Sequence, residues 1–155
     1  MNTEFLRNVT IFNSLSTDEL DLISKICIQK TFVENEFLFN ENDSGNELYI
    51  IESGNVEILK STVADQMKSL TILKEGDFLG EFSLFNDFKR SANAKSITKA
   101  IIYSIGKDDF NKLLESNHSL GYKIMKNMVQ QIGIRLNKTN QKFQEHVFWG
   151  LTSLM

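Results

Sequence analysis

Phe37-Leu-Phe-Asn-Glu-Asn-Asp-Ser-Gly-Asn-Glu-Leu-Tyr-Ile-Ile-Glu-Ser-Gly-Asn-Val-Glu-Ile58 sets the fold of this chain. Three short apolar runs, Phe37–Phe39, Leu48–Ile51 and Val56–Leu59, are separated by Asp43-Ser-Gly-Asn46 and Ser53-Gly-Asn55. Such runs have strand length and are too short for a core helix. The Gly-Asn pairs supply the positive φ that tight hairpins demand. The pattern continues on both sides: Ile26–Phe32 precedes it, and Leu70–Leu73, Ala92–Ile97 and Ala100–Ile105 follow, with Glu34-Asn-Glu36 and Glu75-Gly-Asp77 between runs. Many short strands at regular spacing with glycine turns predict a mainly β protein, a β-roll or jelly roll of about eight strands. No strand alternates with a long helix, which argues against a parallel doubly wound sheet.

Helices flank this region. Thr3 to Ile11 reads as a short helical arm. Ser16-Thr-Asp-Glu19 is a capping box that opens a second helix, with Leu20, Leu22, Ile23 and Ile26 facing inward. Gly106-Lys-Asp-Asp-Phe110 starts another, with acids in its first turn favoured by the helix dipole and Phe110, Leu113 and Leu114 inward. A long helix follows from Ser119 to about Trp149. Residues 1–117 are expected to form the roll with its N-terminal helices, and 118–155 the C-terminal helix of the same domain.

One stretch carries chemistry: Phe78-Leu-Gly-Glu-Phe-Ser-Leu-Phe-Asn-Asp-Phe-Lys-Arg-Ser-Ala-Asn-Ala94. Gly80 lets backbone approach a ligand, and the residues after it can start a helical turn whose free N–H groups, those of Phe82 and Ser83, point at an anion. Arg90 offers a planar fork that fits phosphate oxygens, and Ser91 adds a hydroxyl. Glu81, acceptor-only when ionised, suits sugar hydroxyls better than phosphate. The competing reading is an ordinary Glu81–Arg90 ion pair beside a tight turn. Phe82, Leu84, Phe85 and Phe88 are expected to pin this turn to the barrel, or, in the case of one of them, to wall the ligand.

The stretch resembles the phosphate-binding cassette of the cyclic-nucleotide-binding domain family: Gly80-Glu81 and Arg90-Ser91-Ala92 match its two anchors. The resemblance extends to Phe12-Asn-Ser-Leu-Ser16 and to the quoted Phe37–Ile58 segment, covering roughly Phe12 to Ser116. Asn35 and Asn42 stand where the family usually has glycine; asparagine tolerates left-handed backbone next best. The resemblance implies a sensor that binds cAMP or cGMP, cAMP ahead, with no further cofactor. It implies that Glu81 and Gly80 serve the ribose and Arg90 and Ser91 the cyclic phosphate. It also implies that the C-terminal helix meets the base, with Gln131, Arg135 and Thr139 as candidates.

Met125, Val129, Ile132, Leu136 and Phe143 fall on a heptad seam of the long helix, which predicts a homodimer. The alternative is a single amphipathic helix folded back on its own barrel. Lys123, Lys126, Arg135, Lys138 and Lys142 lie between Leu120 and Lys142 without an acid. A solvated helix side is the expectation for this stripe over a nucleic-acid face. Net charge is −3, which disfavours bulk nucleic-acid binding. After Trp149 the sequence leaves too few residues for a helix-turn-helix, so output is expected through an unidentified protein partner.

Enzyme chemistry finds no footing. The only histidines, His118 and His146, fall outside the predicted barrel, so a metal-dependent cupin centre is not expected. Cys27, the single cysteine, lies in an apolar strand, and no nucleophile motif is present. No apolar run approaches a membrane span and the start lacks signal-peptide character, so a cytoplasmic protein is expected. A non-binding dimeric scaffold on the same fold is the rival function.

Overall fold

The computed structural model describes residues 3–62 and 66–152, without side chains at 146 and 149–152. The described residues form eight strands, β1 (Cys27–Phe32), β2 (Phe37–Phe39), β3 (Glu47–Ser53), β4 (Val56–Ser61), β5 (Met67–Leu73), β6 (Phe78–Leu79), β7 (Asn93–Ser96) and β8 (Ala100–Gly106). They make two four-stranded antiparallel sheets, in the orders β1-β8-β3-β6 and β2-β7-β4-β5. This is the expected β-roll. The one strand without a counterpart among the seven apolar runs is β6, the two-residue start of the cassette stretch.

Helices are α1 (Thr3–Asn8), α2 (Thr17–Lys25), α3 (Phe82–Phe85), α4 (Lys107–Ser116) and α5 (His118–Thr152). α1 stops three residues before the expected Ile11, and turns carry the chain to Ser16. The capping box is present: the Ser16 hydroxyl accepts from the Glu19 amide at 3.3 Å, and the Glu19 carboxylate accepts from the Ser16 amide at 2.8 Å. His118 opens α5, separated from α4 by Asn117 alone, while the His146 side chain lies outside the described residues.

The continuous apolar run of β3 is explained by burial on both faces, which removes the usual alternation. Leu48 and Ile50 join a core with Phe12, Leu20, Ile23, Phe110, Leu120, Ile124 and Met128, where all the longer helices meet the first sheet. Tyr49 and Ile51 face the roll interior with Val56, Leu79, Ala94 and Ile102. Most turns behave as read: Asn35 and Asn42 adopt φ of 69° and 70°, and Gly54 and Gly76 lie at 88° and 82°. Gly45 of the Gly45-Asn46 pair, by contrast, does not take positive φ and is kept free of a side chain by its close approach to Ser83 and Arg90.

α5 is fixed to the body by its first third. Leu120, Ile124 and Met128 are buried, Lys123 pairs with Glu19 at 2.8 Å, and the Asn127 amide donates to the Ile11 carbonyl at 3.1 Å and the Ser14 hydroxyl at 2.9 Å. The predicted seam lies on a neighbouring face. Met125 and Ile132 are half-buried, while Val129, Leu136 and Phe143 are 64%, 58% and 69% exposed. The helix therefore does fold back on its own barrel, but through a different stripe from the seam.

Candidate functional site

The cassette is built around a buried arginine threaded between two glycines. Gly80 has φ of +83°, and a Cβ there would stand 2.4 Å from Arg90 Nη1 and 2.9 Å from the Glu47 carbonyl oxygen. A Cβ on Gly45 would stand 2.4 Å from Ser83 Oγ and 2.6 Å from Arg90 Nε. Both positions need glycine so that the guanidinium can lie flat against backbone. Arg90 is held at both ends of its own backbone, its N–H donating to the Asp43 carbonyl and its carbonyl accepting from the Asn42 amide, each at 2.8 Å.

The Arg90 fork donates from Nη1 to the Gly80 carbonyl and Ser83 hydroxyl, both at 3.3 Å, and from Nη2 to the Glu47 carbonyl at 3.0 Å. Its Cζ lies 4.2 Å from the centre of the Phe39 ring, within cation–π range. The side chain is 5% exposed, yet its Nε has no hydrogen-bond partner. An orphaned buried donor on a cation is costly unless another group completes it. Burial pulls the guanidinium pKa below its ordinary value, with Tyr49, Glu47 and Glu81 acting the other way.

Glu81 precedes α3 in helical conformation, with φ of −59°, and makes no cap bond; its carboxylate, 6% exposed, accepts from Arg135 Nη1 at 3.2 Å. Glu81 and Arg90 therefore do not form the plain ion pair that the sequence left open. The Ser83 N–H, expected to face an anion, donates to the Gly80 carbonyl at 3.3 Å. That bond closes a tight turn which the short α3 needs. Ser91 is exposed, and its carbonyl accepts from Lys60 Nζ at 2.7 Å.

The expected pinning by phenylalanines is only partly observed. Leu84 is fully buried, whereas Phe82, Phe85 and Phe88 are exposed. Four residues of helix have one inward face, and Ser83 and Leu84 occupy it. Phe85 still touches Phe110 edge-on at 6.2 Å, and Phe82 borders the cavity described next.

Between the cassette, β5 and α5 opens a cavity of about 560 Å³. Arg90, Ser91, Glu81, Phe82 and Ser83 line one part of it, and Gln131, Arg135 and Thr139 line the helix side. The cavity thus brings together nearly all of the residues singled out for phosphate, ribose and base; Gly80 stands just behind Arg90. Thr139 spends its hydroxyl on the Arg135 carbonyl at 3.0 Å. Apolar walls come from Leu70 and Ile72 of β5 and Ile134 of α5, none of them foreseen as ligand neighbours. The basic stripe of α5 divides: Lys123 pairs with Glu19 and Arg135 with Glu81, while Lys126, Lys138 and Lys142 are exposed as expected, the last two also bordering the cavity.

The cyclic nucleotide-binding domain pattern matches residues 29–117. The chain belongs to this family. It is 31% identical over 114 residues to a cAMP-dependent protein kinase regulatory subunit of Debaryomyces hansenii, a match that covers 74% of this chain and 24% of the relative. The chain spans about a quarter of the length of the regulatory subunits it matches. Among solved structures, cAMP-bound PfPKA-R is 32% identical with a TM-score of 0.65, covering 72% of this chain and 39% of the other. A cyclic nucleotide-binding domain from Methylobacillus flagellatus superimposes with a TM-score of 0.82 at 19% identity, over 90% and 83% of the two chains. That last likeness speaks for the fold alone.

Burial pushes the Cys27 thiol up to about 12, which makes a poor nucleophile. Among the described residues no cluster of histidine, cysteine and carboxylates could hold a metal, and no helix is long and apolar enough to cross a membrane. Sequence reasoning missed Gly45 and Lys60. Gly45 sat in a motif read only as a turn. Lys60 carried no local signal, because its target, the Ser91 carbonyl, is 31 residues away.

Proposed function

We propose that the protein binds a cyclic mononucleotide, cAMP ahead of cGMP, and uses it to fix the meeting of the cassette with α5. One observation carries this reading: a buried arginine with an unsatisfied Nε–H borders a cavity that also holds a carboxylate and a second arginine from the C-terminal helix. A phosphate meets Arg90 and the Ser91 hydroxyl, with the Phe82 and Ser83 turn beside it. The ribose hydroxyl donates to Glu81. The purine lies against Leu70, Ile72 and Ile134, within reach of Gln131, Arg135 and Thr139.

The preference for cAMP is supported by relatives named for it and by a similar structure solved with it bound. Ligand that touches both cassette and α5 favours the docked helix by its differential affinity for that state. Such a device is a sensor rather than an enzyme, and its output goes to another protein. Thermal denaturation with cAMP, cGMP and cyclic dinucleotides tests the reading. A native-selective ligand at a hundredfold excess over its Kd stabilises by about 2.7 kcal/mol and must raise the midpoint. An unchanged midpoint with both mononucleotides overturns it in favour of a non-binding scaffold.

A further inference from the structure

Three side chains gather near the Arg90 guanidinium without lining the cavity: Lys30 of β1 and Glu47 and Tyr49 of β3. Lys30 Nζ donates to both Glu47 carboxylate oxygens, at 2.7 and 2.9 Å. The Tyr49 hydroxyl donates to the same carboxylate at 2.8 Å. Lys30 Nζ lies 5.4 Å and Arg90 Cζ 5.5 Å from the centre of the Tyr49 ring. The Glu47 backbone carbonyl is itself a partner of Arg90, at 3.0 Å. A buried arginine, a lysine and one carboxylate thus share a single tyrosine.

Charge decides what this arrangement does. Arg90 has two carboxylates in its surroundings, Glu81 and Glu47. Glu81 is engaged by Arg135. Glu47 is engaged by Lys30, and a Glu47 released from Lys30 would be an unpaired anion free to compete with a ligand phosphate for the Arg90 fork. Tyr49 supports the restraint: burial, and after it the hydrogen bond to Glu47, raise its hydroxyl pKa, so it stays a donor.

We propose that Lys30 and Glu47 are positioning residues for nucleotide binding: Lys30 holds the Glu47 carboxylate on the Tyr49 hydroxyl and away from Arg90, leaving the arginine fork to the ligand phosphate. This role rests on the cyclic-nucleotide reading of the cavity and adds a determinant of affinity outside it. It has a sign that mere structural support lacks. Removing Lys30 weakens binding. Removing the Glu47 charge strengthens it, and removing both restores it.

The test is calorimetry with cAMP and cGMP on wild type, Lys30→Met, Glu47→Gln and the double variant, with the Arg90 Nε–H resonance followed by NMR in each ligand-free protein. Lys30→Met is expected to weaken cAMP binding on the order of tenfold, the scale of one partly screened charge a few ångströms away. Glu47→Gln should bind more tightly than wild type, and the double variant should return close to it. In ligand-free Lys30→Met the Arg90 resonance should move, and in the double variant move back. Wild-type affinity in Lys30→Met, or a double variant no tighter than Lys30→Met, overturns the proposal. If Lys30→Met does not fold, Lys30→Gln carries the same comparisons. If wild type binds neither nucleotide, the cyclic-nucleotide reading fails by itself. The ligand-free resonance then decides the network: a shift reversed in the double variant supports it, and an unmoved one overturns it.

Discussion

Glu81 and Arg135 join the cassette to the C-terminal helix: Oε1 accepts from Nη1 at 3.2 Å, while Nη2 donates to the Phe78 carbonyl at 2.7 Å. The Arg135 guanidinium also lies 4.2 Å from the centre of the Phe78 ring. One helix side chain therefore grips both ends of the turn that precedes α3. A carboxylate has roughly four lone-pair sites, so Glu81 can keep Arg135 and still accept from a sugar hydroxyl. In the proposed binding mode, ligand and docked helix would share an acceptor and support one another, which is the physical content of the sensor proposed above.

The shared carboxylate makes a specific expectation for the ribose. Glu81→Ala should weaken cAMP binding by about 1–3 kcal/mol, the usual cost of deleting one partner of a charged hydrogen bond. The 2′-deoxy analogue should lose as much against wild type and almost nothing further against Glu81→Ala. Calorimetry on the four combinations checks this, and fully additive losses would remove Glu81 from the ribose.

Arg90 should show the largest single effect. Arg90→Ala deletes the one guanidinium at the proposed phosphate position and should cost on the order of 2–5 kcal/mol of cAMP affinity. Arg90→Lys should recover little, because an ammonium lacks the planar fork. Near-wild-type affinity in a folded Arg90→Ala protein would exclude the site assignment.

The two glycines of opposite environment separate strain from space. Gly80→Ala forces a methyl into the Arg90 guanidinium and the Glu47 carbonyl at positive φ. It should destabilise by about 1–3 kcal/mol and weaken binding together. Gly133, inside α5 with nothing within 4 Å of a Cβ, is the contrast. Gly133→Ala should stabilise by about 1 kcal/mol through helix propensity. Urea unfolding measures both, and the same sign for the pair would contradict the geometry.

Much of this was legible in the residues themselves. The left-handed turns at Asn35, Asn42, Gly54 and Gly76 and the Ser16 to Glu19 box act over a few positions, and these are found as read. Other features depend on pairings far apart in sequence. Lys30 meets Glu47 across β8, Arg135 reaches Glu81 over 54 positions, and Leu70 and Ile72 become a cavity wall only because α5 crosses above them. Exposed phenylalanines in the cassette misled the expectation because apolarity alone says nothing of direction in a one-turn helix.

Acid should loosen the protein through two of these long-range pairs. Lys123, then the Ser16 amide, hold the Glu19 carboxyl below its ordinary 4.5. For Glu47, burial raises the value, but hydrogen bonds from Lys30 and Tyr49 outweigh it and the net shift is downward. A folded-state pKa below the unfolded one gives stability that is present above the ordinary value and lost as pH falls through the folded value. Urea midpoints should thus fall as pH drops below 4.5. Glu19→Gln and Glu47→Gln should each flatten that fall, and an unchanged slope in both would contradict the assignment.

The exposed stripe of α5 leads to a test of assembly. Val129, Leu136 and Phe143 stand in solvent on a helix whose other apolar face is already spent on Phe12 and its neighbours. Isolated apolar side chains on a surface are ordinary, but a heptad row of them along one helix marks an interaction face. We propose that a second copy supplies the same row about a twofold axis, which would bury both at once. Replacing Ile132 and Leu136 with Glu sets like charges against each other across that axis. Light scattering should then give the monomer mass for the variant and twice that mass for wild type. A monomeric wild type, or a variant of unchanged dimeric mass, would leave the seam without a partner of its own kind.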